Sequence, residues 1–247
     1  MKRQVLFSLC ILFTFSTIAT AQTVDLLEDE KLDHWVTAQG KSVTTGWSFE
    51  DGALKCEGRG SGLLLTKETY RDFELAWQWK IAAAGNSGIK YRVRNYGNSA
   101  LGCEYQMLDD PQNKYGKHSK NATGSLYAIW EPTGEFVQNP AEQWNESRIK
   151  VTGNHVQHFL NGVLVVDGRI GSRDWQTRVD ASKFSKYRKF SENRSGLIML
   201  TEHGNPTWFR SMTITNLGAK QRRNRPQANS NIWMEPHSIE LSAALRR

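Results

Sequence analysis

The sequence predicts an all-β chain folded as an antiparallel sandwich or jelly roll, on three observations. Many short segments alternate apolar and polar residues with a period of two, as half-buried strands do. Turn dipeptides separate them: Asp51-Gly52, Gly153-Asn154 and Asn161-Gly162. Only "DEKLDHWV" and "RDWQTRVDASKFSKY" read as helical, and neither is long enough to organise a fold. A chain of 247 residues with 38% hydrophobic content can bury one large core, so a single main domain over residues 22–217 is expected.

In order, the expected strands are "WSFEDGALKCEG", "GLLLTKETY", "FELAWQWKIA", "SGIKYRVRN", "CEYQMLD", "GSLYAIWEP", "SRIKVTGNHVQHFLNGVLVVDG", "GLIMLTEHG" and "WFRSMTITNL". Asn161-Gly162 lies between "VQHFL" and "VLVV" and marks a compact hairpin. No internal repeat is present.

The N-terminus reads "MKRQVLFSLCILFTFSTIATAQTVD": two cations, an apolar run and the small-x-small triplet Ala19-Thr20-Ala21. That order predicts a signal peptide over residues 1–21, cleaved near Ala21, and an exported protein, periplasmic or secreted. An uncleaved anchor is the alternative. The later chain has no run of about 20 apolar residues, so no transmembrane segment is expected in the mature protein. Cys10 leaves with the leader, and Cys56 and Cys103 permit one disulfide or two buried thiols.

The formal charge of +7 is unevenly placed. Residues 218–247 carry six cations against two anions, whereas residues 22–217 carry 24 against 23. The basicity is that of a C-terminal tail, and no basic face on the main domain points to nucleic acid.

Polar residues recur on single strand faces. In "SGIKYRVR", Lys90, Arg92 and Arg94 oppose Ile89, Tyr91 and Val93; in "CEYQML", Glu104 and Gln106 oppose Tyr105 and Met107. Met199, Thr201 and His203 share one face, and Val156, His158 and Leu160 another. Arg92 and Glu104 are readable as a cross-strand ion pair, and His158 as a packed histidine. Convergent polar groups on a curved sheet are equally the makings of a ligand cleft. His203, at a strand end before Gly204, stands where loops carry function. Asp109-Asp110 suits a turn or a divalent cation. Trp144 and Trp130 could offer sugar-stacking faces at a rim. The chain has no G-x-S-x-G elbow, Walker loop, H-E-x-x-H, dinucleotide-binding glycine run or CxxC pair.

The ordered series "GNSGIKYR", "CEYQMLDD", "TGSLYAI", "EQWNESRIKVTGNHVQHFLNG" and "GLIMLTEHG...FRSMTI" resembles the 3-keto-disaccharide hydrolase domain family across roughly residues 24–217. The resemblance implies a concanavalin A-like jelly roll, export, and a small carbohydrate substrate, a 3-keto-glycoside. Thr201 stands where the family commonly has Gln, and Ser211 where it tends to have Asn; these departures bear on substrate preference.

A glycosidase of the two-carboxylate kind needs a pair of carboxyl groups about 5–5.5 or 6.5–9.5 Å apart, and this face offers one Glu and one Gln. A 3-keto sugar has an acidified C2 proton, so one base and one oxyanion stabiliser suffice for elimination and hydration. The resemblance therefore implies Glu104 or His203 as base and Arg92 as stabiliser, with Gln106, Asn86, Asp109, Tyr127, Trp144 and His158 around the substrate. These residues identify no cofactor, and a divalent metal assisting the stabiliser is left open. A non-catalytic carbohydrate-binding module and a conventional glucanase are the competing readings.

Overall fold

The computed structural model describes residues 22–97 and 99–218. The expected leader, Cys10 and all of the basic tail but Gly218 lie outside the described residues. Among the described residues, thirteen strands form two antiparallel sheets.

The larger sheet contains β1 (Thr23–Asp25), β3 (Trp47–Glu50), β4 (Ala53–Cys56), β6 (Phe73–Ile81), β9 (Asn145–Thr152), β10 (His155–Leu160), β11 (Val163–Arg169) and β13 (Thr207–Asn216). Its order is β11-β10-β9-β6-β13-β4-β3, with β1 also pairing β13. The smaller sheet contains β2 (Trp35–Thr37), β5 (Leu64–Thr66), β7 (Asn86–Asn95), β8 (Ala100–Leu108) and β12 (Leu197–Glu202), ordered β2-β5-β12-β7-β8. The predicted turns close the β3–β4, β9–β10 and β10–β11 hairpins.

The alternation seen in the sequence fills the space between the sheets. In β6, Phe73, Leu75, Trp77, Trp79 and Ile81 are buried while the residues between them are half-buried. From the smaller sheet Ile89, Tyr91, Cys103, Tyr105 and Leu200 meet them. Each such large side chain contributes about 1.5–3 kcal/mol by leaving water. Trp77 meets Tyr105 edge-on at 5.0 Å. Trp79 Nε1 donates to Ser147 Oγ at 2.8 Å, so the indole is buried without an orphaned donor.

Three expectations need correction. "DEKLDHWV" forms a single 3₁₀ turn, Glu28–Glu30, followed by β2. "GSLYAIWEP" is no strand but a tight turn closed by bridges from Leu126 to Tyr105 and Trp130. "RDWQTRVDASKFSKY" is helical only as α1 (Arg173–Asp180), capped by Ser172, whose Oγ accepts from Trp175 N at 3.1 Å.

 Between β11, which ends at Arg169, and α1 stand only Ile170, Gly171 and Ser172.

Beyond α1, an irregular arm runs over residues 181–196 before β12. Aromatic residues pin it to the core. Phe184 stacks on Phe190 at 4.1 Å, Phe190 lies parallel to Trp175 at 6.1 Å, and Tyr187 meets Tyr96 edge-on at 5.5 Å. Its far end is closed by paired backbone bonds between Tyr70 and Gly196.

Strand β7 is interrupted at Arg92, whose φ is +54°. Its pairing with β8 slips between Tyr91 and Arg94, and that with β12 slips between Lys90 and Val93. A bulge of this kind re-aims the side chains on either side of it. The expected face of Lys90, Arg92 and Arg94 is thereby broken. Val93 joins Val36, Leu65, Leu197 and Met199 in a small cluster separate from the main core, and Arg92 is fully buried.

Candidate functional site

The face of the smaller sheet turned away from the main core carries the cluster. In-register pairing aligns Met199, Lys90 and Glu104 in one row, and Thr201, Gly88 and Gln106 in the next. Period-two alternation then sends Tyr91 and Tyr105 inward and leaves Glu104 and Gln106 on the cleft side.

Glu104 is buried. Its Oε2 lies 3.9 Å from Lys90 Nζ and its Oε1 lies 3.9 Å from His203 Nε2. Oε1 has no hydrogen-bond partner among the described residues. Burial pushes the carboxyl pKa up, but the positive charges of Lys90, His203 and Lys183 outweigh it and hold the group at about 2. A buried carboxylate with an unsatisfied oxygen is costly in a purely structural role. Here Lys90 and Lys183 hold it charged, and the neighbouring His203, whose side chain is 40% exposed, is the member of the cluster open to a ligand.

Gly88 makes room for this carboxylate. A Cβ at that position would stand 2.7 Å from Glu104 Oε1 and 3.1 Å from its Cγ. Next to Glu104, Gln106 Nε2 donates to Asn86 Oδ1 at 2.8 Å, which orients both amides. Thr201 Oγ1 donates to Gly88 O at 3.0 Å. Tyr127 N donates to Glu104 O at 2.9 Å, which fixes the turn that carries the phenol beside the cluster. Burial and the negative charge of Glu104 push the Tyr127 phenol pKa up.

Lys183 completes the group and was not anticipated. Its Nζ lies 4.2 Å from the centroid of the Tyr127 ring. The side chain as a whole is exposed, but partial desolvation of the ammonium group lowers its pKa, and the negative charge of Glu104 opposes that shift. The sequence held one signal for it: Phe184, Tyr187 and Phe190 recur every third residue, a spacing that anchors the intervening cations of "KFSKYRKF".

Four expected site residues lie elsewhere. Arg92, expected as oxyanion stabiliser, is turned inward by the bulge and donates to the carbonyl oxygens of Gly153 and Ser191, the latter at 3.5 Å. The in-register partner of Glu104 is Lys90. His158 is fully buried between the sheets; its Nε2 is 3.0 Å from Tyr91 Oη and its Nδ1 is 3.0 Å from Gly124 O. Asp109 is buried and its Oδ2 accepts from Ala84 N at 2.7 Å, so it ties one loop to another. Trp144 belongs to the larger sheet's outer surface, where the Arg210 guanidinium lies 3.9 Å from its ring centroid and Lys80 Nζ 5.5 Å. It borders a shallow depression of about 560 Å³ with Gln78, Asn139 and Asn161.

Cys56 in β4 and Cys103 in β8 are both buried free thiols, which resolves the disulfide alternative. For a metal, the donors do not fit: the cluster offers one carboxylate and one imidazole beside two ammonium groups. Among the described residues no three His, Cys, Asp or Glu gather in a metal-binding group.

The chain matches the 3-keto-alpha-glucoside-1,2-lyase-like domain over residues 22–215. It belongs to that family. A curated relative from Bacteroides thetaiotaomicron, named 3-keto-disaccharide hydrolase, is 28% identical over 224 residues, covering 77% of each chain. A crystal structure from Parabacteroides distasonis, provisionally named a glycosyl hydrolase, superposes with a TM-score of 0.72 at 28% identity, covering 79% of this chain and 94% of that one. A second such structure from the same organism gives 0.62 at 23% identity, covering 79% of this chain and all of the other, and bears on the fold alone. Membership in the 3-keto-alpha-glucoside-1,2-lyase-like family agrees with the jelly-roll sandwich and with its carbohydrate-active character.

Proposed function

We propose that this chain is an exported enzyme that cleaves 3-keto-glycosides by C2 proton abstraction, elimination and hydration. The observation that carries the reading is a single ionised carboxylate beside one imidazole in a cluster otherwise made of cations. Among the described residues, the side chains that act most strongly on Glu104 are Lys90, His203 and Lys183, which are bases and not the partner carboxylate of a two-carboxylate glycosidase. The family match and the name of the Bacteroides relative support the substrate class.

Between the two candidate bases, acidity decides. A carboxyl group with a pKa of about 2 is too weak a base to take a carbon-bound proton near neutrality. His203 is therefore the base, and Glu104 is the fixed negative charge beside the imidazolium that forms.

In the first step the imidazole takes the C2 proton, the C–H electrons form the C2=C3 bond, and negative charge moves to O3. The C3 carbonyl then re-forms as C1=C2 develops and the C1–O bond breaks, with the aglycone oxygen taking a proton from water. Water next adds its hydroxide to C1 and releases its proton to solvent. The imidazolium returns the stored proton to C2, so the sum is hydrolysis. Gln106, Asn86 and Tyr127 are positioned to orient hydroxyl groups, and the oxyanion role expected of Arg92 passes to a lysine of the cleft.

The test is turnover of a disaccharide and its 3-keto derivative by residues 22–247, in parallel, each with and without EDTA. Cleavage of the keto sugar alone is expected, unchanged by EDTA. Binding of either sugar without cleavage would overturn the enzymatic reading in favour of a carbohydrate-binding module; cleavage of the unoxidised sugar would favour a conventional glycosidase. Export is checked by N-terminal sequencing of the protein recovered from its native compartment, with Gln22 expected as the first residue.

A further inference from the structure

The three basic groups of the cleft are not equivalent. Lys90 faces Glu104 in register across β7 and β8, and His203 reaches the other carboxylate oxygen from the end of β12. Both are occupied in holding Glu104. Lys183 comes from the arm, and among the described residues no carboxylate lies within 4 Å of its Nζ, as one does for Lys90. Its neighbours are instead two ring faces, Tyr127 at 4.2 Å and Phe184 at 5.3 Å. A ring face attracts an ammonium group by about 0.5–2 kcal/mol and leaves its charge uncancelled. Such a group is held in place yet free to take an anion.

On the reading given above, the anion to be met is the oxygen that becomes charged at C3. We infer that Lys183 is the catalytic residue that binds this oxyanion, while Lys90 is a positioning residue that holds Glu104. The placement of Lys183 is built into the arm. Phe184, the next residue, is stacked on Phe190, which is parallel to Trp175 in the core. Arg92 holds the same arm from within through Ser191 O. The arginine first expected in the oxyanion role thus acts on it indirectly, as a support for the segment that delivers the lysine.

The experiment compares wild type, K183M and K183R on a 3-keto-disaccharide, reading kcat, KM, the pH profile and exchange of the C2 proton in deuterated water. The residue is exposed on the arm, so the variants are expected to keep the wild-type melting temperature. In K183M, kcat and the exchange rate fall together by about 10²–10³-fold, the usual loss of one oxyanion partner, with KM changed only a few-fold. K183R recovers part of the rate, and its alkaline limb moves to higher pH. Wild-type kcat in K183M, or a rise in KM alone, overturns the assignment and leaves the elimination reading standing. If wild type itself neither cleaves the keto sugar nor exchanges its C2 proton, the elimination reading fails and the Lys183 assignment fails with it.

Discussion

Glu104 and His203 approach each other at 3.9 Å across the mouth of the cleft, with the carboxylate buried and the imidazole 40% exposed. The contact joins a fixed charge to a group that can meet a ligand. Removing the carboxylate by E104Q leaves the imidazolium without its partner, whereas H203Q removes the base itself. H203Q is expected to lower kcat by about 10²–10⁴-fold, the range of a lost general base. E104Q should give a smaller loss, and steady-state kinetics on a 3-keto-glycoside measure both. A greater loss in E104Q than in H203Q would reverse the two roles.

Gly88 tests the geometry without removing a functional group. In G88A the new methyl group must displace a carboxylate that would otherwise lie 2.7 Å from it. Displacement on the scale of 1 Å is expected to cost about 10²-fold in kcat/KM. Denaturant unfolding should show a far smaller effect than the kinetics, since Gly88 lies in an extended strand with no positive-φ requirement.

Arg92 gives the opposite pattern. R92M leaves the carbonyl groups of Gly153 and Ser191 without their buried donor, and a destabilisation of about 2–4 kcal/mol is expected from urea midpoints. Activity should fall as the arm loosens, and stabilising osmolytes should recover part of it. An R92M protein of wild-type stability would show that the buried guanidinium supports nothing.

His158 sets a pH dependence of stability. Burial lowers its pKa from 6.5 to about 4, against the opposing pull of the Gly124 and Ser125 backbone. The unfolded chain therefore binds a proton more readily, and folding favours the neutral ring. This contribution is fully present above about pH 6.5 and is lost as pH falls through 4. Its full size is on the order of 3 kcal/mol. Unfolding free energies of H158Q measured from pH 7 to pH 4 should be flatter than those of wild type. A parallel decline in the two proteins would assign the acid sensitivity to other groups.

Both thiols are predicted to be silent in the native state. Cys56 and Cys103 are buried, and burial pushes the Cys103 thiol up to about 11. A thiol reagent should label neither at neutral pH until denaturant is added, and a reducing agent should not change the melting temperature. Rapid native labelling of either residue would contradict the packing.

Much of this architecture was legible in the chain because burial imposes a period of two on strands. β6 follows its sequence alternation at every position, and the three turn dipeptides sit where hairpins close. The Glu104, Gln106 and His203 face was legible for the same reason. What failed was local. No pattern in "SGIKYRVRN" reveals a left-handed residue at Arg92, and one such residue sends an apparently cleft-facing arginine into the interior. His158 shared its expected face with Val156 and Leu160, whose burial settles that the face is core. Lys183 was hidden because only the tertiary stack of Phe184, Phe190 and Trp175 brings a distant segment over Tyr127.

The arm of residues 181–196 leaves α1 and returns to the sheet at a backbone pairing of Tyr70 with Gly196. Between those ends it contributes no strand to either sheet. Sequence can therefore change along it without altering strand register, provided the aromatic anchors stay in place. The exposed positions of the arm other than Lys183 are therefore where the chain can vary while the sandwich and its aromatic anchors stay unchanged.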